Sequence, residues 1–159
     1  MKLVAISLLL VAFLVAFPSE VGSDSGPRNG SDIVAIPENL KWSDVTSMPP
    51  GAKISVIEGD LKTGGPFTFR LKFPADYKVA VHTHPVTERV TVLSGAFHLG
   101  FGEKFDPEKT KRLAPGSVAI MPSGTKMFAF TKEETVIQLH GVGPWGITYL
   151  NPGDDPRRK

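Results

Sequence analysis

Apolar and polar residues alternate along several short segments of the chain, most clearly at residues 67–73. There Phe67, Phe69, Leu71 and Phe73 alternate with three polar residues. Successive side chains of a β-strand point to opposite faces, so this alternation predicts a strand with one buried face and one exposed face. Eight further segments have the length and composition of strands, at residues 53–58, 78–84, 88–93, 96–101, 117–121, 126–131, 135–140 and 146–150.

Turn-forming residues separate the predicted strands, and helical periodicity is weak throughout. Residues 94–95, 114–116 and 122–124 are rich in Gly, Pro and Ser, and each group falls between two predicted strands. Only residues 106–111 suggest a short helical turn. Short strands without intervening helices predict an all-β fold, a single antiparallel β-barrel or sandwich, which we place at residues 33–150.

The N-terminus has the pattern of a secretory signal peptide, which we predict at residues 1–23. An apolar run extends from residue 3 to residue 17, and small residues precede the expected cleavage site after Ser23. The run is shorter than the roughly 20 residues that span a membrane, and an uncleaved anchor is the alternative interpretation. Residues 24–32 are predicted as a flexible leader and residues 151–159 as a polar tail. The protein is therefore expected to be exported, either periplasmic or secreted, without membrane association after cleavage.

The charge and composition of the chain argue against several partners and chemistries. With 18 basic and 16 acidic residues the net charge is +2, and only residues 157–159 form a basic cluster, so no nucleic-acid partner is expected. The chain contains no cysteine, which removes disulfides and thiol nucleophiles. It also lacks a Gly-x-Ser-x-Gly motif and a phosphate-binding glycine loop. Without disulfides, the fold must be stabilised by packing, with help from a metal ion or from a homodimer. Exposed sheet edges would suit a homodimer.

Residues 82–88, His-Thr-His-Pro-Val-Thr-Glu, carry the clearest candidate chemistry. His82 and His84 lie at positions i and i+2, so they share one face if the segment is a strand. Pro85 tends to end a strand, so the chain would reverse and bring Glu88 beside the imidazoles on a neighbouring strand. Two imidazoles and one carboxylate suit iron, manganese, zinc, nickel or copper and leave positions open for water or substrate. Exposed histidines on an edge strand are the alternative.

The spacing of these residues matches a known motif. His82, His84, Glu88 and Gly95 fall on the pattern G-x5-H-x-H-x3,4-E-x6-G, with Asp76 in place of the leading glycine. This pattern resembles the first motif of the cupin superfamily. The C-terminal stretch, residues 140–159, is similar to that of small exported single-domain bacterial cupins. The resemblance implies a jelly-roll β-barrel with one divalent metal ion inside, held by the two histidines and the glutamate.

A second motif follows and departs from the family pattern at two positions. Gly116, Pro122 and Gly124 fall on G-x5-P-x-G-x2-H-x3-N, but Met127 stands at its metal-binding histidine and Thr131 at its asparagine. A thioether is a soft and weak ligand that favours copper(I). The site is therefore expected to hold metal through three protein ligands, to hold it weakly, or to be an apolar pocket in which Met127 is a core side chain.

The strand predicted at residues 135–140 could contribute further side chains to the site, depending on which of its faces points into the barrel. Gln138 and His140 share one of its faces, and Ile137 and Leu139 share the other. If the polar face looks inward, His140 replaces the missing ligand or binds substrate. If the apolar face looks inward, His140 is a rim residue.

Two functions remain open from the sequence. The first is a metal-dependent oxygenase or isomerase acting on a small organic compound, with the motif side chains as metal ligands and with His140 and Gln138 as catalytic residues. The second is a non-catalytic periplasmic barrel that binds or senses a small ligand. A purely structural metal is disfavoured because closed structural sites normally have four protein ligands.

Overall fold

Short β-strands make up most of the regular structure. A computed structural model describes residues 32–158, so the predicted signal peptide and the leader before Asp32 lie outside the described residues. The strands are β1 Ser43–Asp44, β2 Lys53–Glu58, β3 Pro66–Phe73, β4 Lys78–Thr83, β5 Glu88–Ser94, β6 Phe97–Phe101, β7 Thr110–Leu113, β8 Val118–Met121, β9 Met127–Thr131, β10 Thr135–Val142 and β11 Thr148–Tyr149. Short 3-10 helices cover Pro37–Asn39, Pro107–Lys109, Pro152–Asp154 and Pro156–Arg158.

The strands form two antiparallel sheets. One sheet has the order β1-β2-β3-β10-β5-β8, and the other has the order β11-β4-β9-β6-β7. This arrangement confirms the predicted all-β jelly-roll barrel. Every strand predicted from the sequence is present, while β1 and β7 were not predicted. Strand β7 lies at a sheet edge with Lys111 and Arg112 exposed, so it lacks the apolar alternation that marks the other strands.

The inward faces of both sheets form the core. Along β3, the apolar side chains predicted to face inward, Phe67, Phe69, Leu71 and Phe73, are at most 1% exposed, and the polar side chains between them are half-buried. Strand β10 pairs with β3 along its whole length and with β5 on its other side. The period-two pattern therefore places one continuous apolar surface opposite β4, β6 and β9 of the second sheet.

The C-terminal segment packs against the residues that lead into β11. Arg157 donates to both carboxylate oxygens of Asp155, at 2.7 and 2.8 Å, and to the carbonyl oxygen of Ile147 at 3.0 Å. Asp155 is 9% exposed. The polar residues predicted as a tail are thus attached to the barrel through Ile147. No helix within residues 32–158 is long and apolar enough to span a membrane.

Two motif glycines offer a matched test of the fold. Gly95 and Gly116 both have positive φ, 72° and 85°. A Cβ at Gly95 would collide with the carbonyl oxygen of Glu134 and lie 2.6 Å from Oγ1 of Thr135, whereas a Cβ at Gly116 meets no atom within 4 Å. We expect Gly95→Ala to lower the free energy of unfolding by about 3 kcal/mol, from backbone strain plus overpacking. Gly116→Ala, with strain alone, should cost about 1 kcal/mol. Urea titrations of both variants measure the difference, and equal costs would contradict this packing.

Candidate metal centre

A β-bulge in β4 aims His82 into the barrel. On a regular strand, side chains three residues apart point to opposite faces. The pairing of β4 with β9 shifts register between Val79 and His82, and because of this shift both side chains reach the same cavity. Bulges of this kind re-aim side chains next to functional sites. The imidazole Nδ1 of His82 lies 2.7 Å from the carbonyl oxygen of Ala80, which is inside the bulge. The distortion of the strand therefore supplies both the direction of His82 and a hydrogen-bond acceptor for it.

His84 and Glu88 approach the same cavity from the ends of different strands. His84 follows the last residue of β4, and Glu88 is the first residue of β5. The sequence prediction placed Glu88 on a neighbouring strand, but β5 belongs to the opposite sheet. Glu88 therefore faces the histidines across the barrel. Nε2 of His84 lies 3.5 Å from Oε2 of Glu88, and the rings of His82 and His84 are 4.9 Å apart.

Backbone carbonyls fix the tautomer of both imidazoles. Nδ1 of His84 lies 2.7 Å from the carbonyl oxygen of Gly146, as Nδ1 of His82 does from that of Ala80. A carbonyl oxygen only accepts hydrogen bonds, so both Nδ1 atoms must carry the proton and donate it. In the neutral ring, each Nε2 then keeps a free lone pair. This carbonyl-oriented arrangement is the usual one for metal-binding histidines.

Trp145 closes the site and was missed as a site residue by the sequence analysis. Its indole Nε1 donates to Oε1 of Glu88 at 2.9 Å, and its ring stacks on His84 with a centroid separation of 5.3 Å. The ring also packs edge-on against Phe69 at 4.9 Å. An indole N–H inside a protein usually has an acceptor, and here the acceptor is Oε1 of Glu88. The other carboxyl oxygen, Oε2, faces His84. The signal in the sequence was a Trp between glycines just after β10.

Burial disfavours the charged forms of His82 and Glu88. Desolvation, helped by the neighbouring His84, lowers the pKa of His82 to about 3, against a hydrogen bond to Ala80 that raises it. Desolvation raises the pKa of the Glu88 carboxyl, although His84 and the hydrogen bond from Trp145 act in the opposite direction. The barrel interior therefore favours uncharged forms of both groups. A cation bound to the carboxylate would compensate for its burial.

The cavity around these side chains is small and apolar. Its volume is about 30 Å³, enough to hold water and far below that of a typical ligand pocket. Its polar lining consists of His82, His84 and Glu88. The apolar lining comes from both sheets and two loops: Met48, Leu71, Phe73, Val79, Val90, Phe97, Leu99, Met121, Met127, Ala129, Ile137, Leu139 and Trp145. Among the described residues, no Lys or Arg lines it.

The positions at which the chain departs from the motifs have structural explanations. Asp76, at the leading glycine of the first motif, has a φ of 56°, a left-handed conformation that Asp tolerates better than most residues. Thr131, at the asparagine of the second motif, is buried and donates to the carbonyl oxygen of Pro74 at 2.7 Å. Met127 is 2% exposed, lines the cavity and lies directly opposite His82 in the β4–β9 pair.

The three polar side chains converge without forming a complete ligand set. Within residues 32–158, no three His, Cys, Asp or Glu side chains are placed closely enough to share an ion as they stand. The chemistry of the donors nevertheless fits a metal: two imidazoles whose Nδ1–H groups are held by backbone carbonyls, and a carboxyl group with one oxygen directed toward His84.

A family model matches most of the chain. It is described as a domain of unknown function (DUF4437), and it matches residues 12–148. The chain belongs to this family. The family is cupin-like, which confirms the resemblance drawn from the two motifs. No curated protein sequence matches the chain.

Solved structures share the cupin fold at low sequence identity. KdgF from Halomonas sp. is 25% identical, with a TM-score of 0.54 over 72% of this chain and 94% of that one. The polyketide cyclase RemF from Streptomyces resistomycificus is 12% identical, with a TM-score of 0.64 over 80% and 92%. An RmlC-like cupin from Shewanella frigidimarina NCIMB 400 is 16% identical, with a TM-score of 0.55 over 69% and 89%.

The structure does not bring Gln138 and His140 into the cupin cavity, which is where their predicted catalytic roles required them to lie. Ile137 and Leu139 are buried and line the cavity, so the alternate residues of β10 face away from it. Gln138 accepts a hydrogen bond from Nε of Arg70 at 3.1 Å on that outer face. Both residues are half-buried there. The apolar face of β10 is thus the inward one, and His140 lies outside the site.

The raised pKa of Glu88 would make metal binding in the cavity dependent on pH. A metal ion binds the carboxylate form of Glu88. At any pH at which the metal-free carboxyl is still protonated, metal binding should therefore displace that proton. Affinity should therefore rise with pH by up to about tenfold per pH unit and level off above that pKa. His82, with a pKa of about 3, is neutral throughout this range and releases no proton.

Calorimetry in two buffers of different ionisation enthalpy measures the number of protons released. In Glu88→Gln the released proton should be absent and the slope of affinity against pH should fall accordingly. Equal proton release in the variant and the natural chain would contradict this protonation scheme.

Proposed function

We propose that this cupin is an exported enzyme with a single metal ion in its barrel, an oxygenase acting on a small neutral organic compound. The observation that carries the proposal is the pair of imidazoles whose Nδ1–H groups are committed to backbone carbonyls. Their Nε2 atoms share an apolar cavity with the Glu88 carboxylate. The name of RemF, a polyketide cyclase with the same fold, is consistent with enzymatic use of such a barrel.

Three side chains would hold the metal ion. His82 and His84 would bind through Nε2, and Glu88 would bind through Oε2. Trp145 would continue to donate its hydrogen bond to Oε1 of Glu88. Bound there, a metal ion would supply Lewis acidity and open coordination positions for substrate. The carbonyl groups of Ala80 and Gly146 orient the rings, and the apolar lining excludes water from the reacting atoms. These are the tasks that the chain itself performs.

The lining of the cavity favours a neutral substrate. A carboxylate substrate would normally be met by an Arg or Lys, and among the described residues neither type lines the cavity. Burying an anion in an apolar cavity is costly unless the bound metal ion compensates its charge, and a monovalent ion is already balanced by Glu88. The volume of about 30 Å³ also requires that part of the wall move before an organic molecule enters. Trp145 is the wall residue that we propose to move, because it lies in a loop and is only half-buried.

The placement of titratable groups favours an oxygenase over an isomerase. An isomerase needs a side chain that takes a proton from one carbon and returns it to another. Once His82, His84 and Glu88 are engaged with metal, no further titratable side chain among residues 32–158 lines the cavity. His140, the predicted proton carrier, lies on the outer face of β10. Oxygen-dependent cleavage requires no such group from the protein.

Oxygen uptake by the metal-loaded protein tests this proposal. The chain is reconstituted separately with iron, manganese, nickel, zinc and copper and mixed with small neutral diketones and catechols, and with carboxylates of similar size. We expect oxygen uptake with neutral compounds only, and its loss in His84→Ala. Binding of a neutral compound without turnover, for every metal, would instead support the non-catalytic binding barrel.

A further inference from the structure

Methionine is concentrated around the candidate metal centre. The chain has four methionines, and Met48, Met121 and Met127 all line the cavity and are at most 5% exposed. The chain has no cysteine, so thioethers are its only sulfur donors. Every methionine in the described residues therefore contributes to the wall that surrounds the two imidazoles.

Two of these methionines are paired with proposed ligands across the strands. Met127 is directly opposite His82 in the β4–β9 pair, and Met121 is directly opposite Glu88 in the β5–β8 pair. Directly opposite residues present their side chains on the same face, with Cβ atoms roughly 5 Å apart. A methionine side chain spans such a gap, so the sulfur of Met127 can reach an ion that His82 binds. Met48 lies in a loop and has no such partner.

The charges of the cavity favour a monovalent ion. Glu88 is the single carboxylate among the described lining residues, and the other donors are neutral. A monovalent cation would be balanced by Glu88 alone, whereas a divalent cation would leave one positive charge buried without a partner. Uncompensated charge in an apolar interior is strongly unfavourable.

We propose that the metal ion is copper, bound as copper(I) by His82, His84, Glu88 and the thioether of Met127. This inference rests on the proposed metal centre and specifies its ion. Thioether sulfur selects copper(I), and it contributes little to the binding of harder ions such as manganese or iron(II). The side chain at Met127 would thus be the element that sets metal preference.

Competition and X-ray absorption together test the role of Met127. The full chain is titrated anaerobically with copper(I) against a copper(I) chelator, and separately with zinc(II), manganese(II), iron(II) and nickel(II). We expect one equivalent of copper(I) with a sulfur scatterer in its absorption spectrum. Met127→Leu, a substitution of similar volume, should remove the sulfur signal and weaken copper(I) binding about tenfold or more without weakening zinc(II) binding.

Matched variants show whether the effect belongs to Met127. Met48→Leu should leave copper(I) affinity and the sulfur signal unchanged. Met127→His should replace sulfur with nitrogen in the spectrum and shift preference toward the divalent ions. Thermal melting of each variant confirms that the barrel is folded.

The outcomes separate this inference from the proposed function. If Met127→Leu binds copper(I) as the natural chain does, or if Met121→Leu is the variant that loses the sulfur signal, the assignment of Met127 is overturned. If divalent ions bind through the histidines and copper(I) has no advantage, the copper inference fails and the metal centre stands. If no ion binds, both fail.

Discussion

The His82→Ala/His84→Ala double variant is expected to lose metal binding, with affinity reduced by at least about a hundredfold. Both imidazoles direct Nε2 into a cavity whose remaining polar group is Glu88. Removing them leaves one carboxyl group, and burial in the apolar interior disfavours its charged form. Elemental analysis after reconstitution with iron, manganese, zinc, nickel or copper measures the loss. The natural chain should retain close to one equivalent of its preferred ion through gel filtration, and the variant should retain none.

A Gln138→Ala/His140→Ala double variant is the matched control. It removes a histidine and a polar neighbour from the outer face of β10, two residues apart like the cavity pair. Its metal content should equal that of the natural chain. Loss of metal in this control, or retention of metal in the cavity variant, would show that the ion binds elsewhere.

Trp145→Ala is expected to have the second largest effect on the site. The substitution removes the hydrogen bond to Glu88 and the ring stacked on His84, and it opens the cavity to water. Contacts of this kind to metal ligands are typically worth 10- to 100-fold in metal affinity, and we expect a loss of about that size. Trp145→Phe retains the ring without the N–H, so its loss should be smaller. Metal titrations of the two variants give both values.

Fluorescence provides an independent readout of the same contact. The chain has two tryptophans, so Trp42→Phe leaves Trp145 as the single indole. Trp42 lies near Lys72 rather than in the cavity, and its replacement should leave metal affinity unchanged. In that variant, a quenching metal ion such as copper or nickel should reduce the emission of Trp145. Unchanged emission at full metal occupancy would contradict the position of the indole over the site.

The sequence predicted the fold well because its information is local. The alternation of Phe67, Phe69, Leu71 and Phe73 states which side chains share a face, and turn residues mark where each strand ends. The motif spacing then identified the polar residues of the cavity. These patterns depend on neighbours within about ten residues, so they can be interpreted without knowing how the strands pair.

The features that sequence analysis missed depend on how distant segments meet. Alternation along β10 separates Gln138 and His140 from Leu139, but only the pairing of Leu139 with Val90 of β5 decides which face looks inward. The bulge before His82 is a property of the β4–β9 pairing. The bond from Trp145 to Glu88 joins a loop to a strand of the core. None of these contacts leaves a periodic signal in the chain.

The most direct test of the account is anomalous diffraction from crystals of the metal-loaded chain, recorded at the absorption edge of the bound metal. We predict a single anomalous peak between the two sheets, bonded to Nε2 of His82, Nε2 of His84 and the carboxylate of Glu88. A cavity without a peak, or a peak on surface side chains alone, would contradict the proposed metal centre.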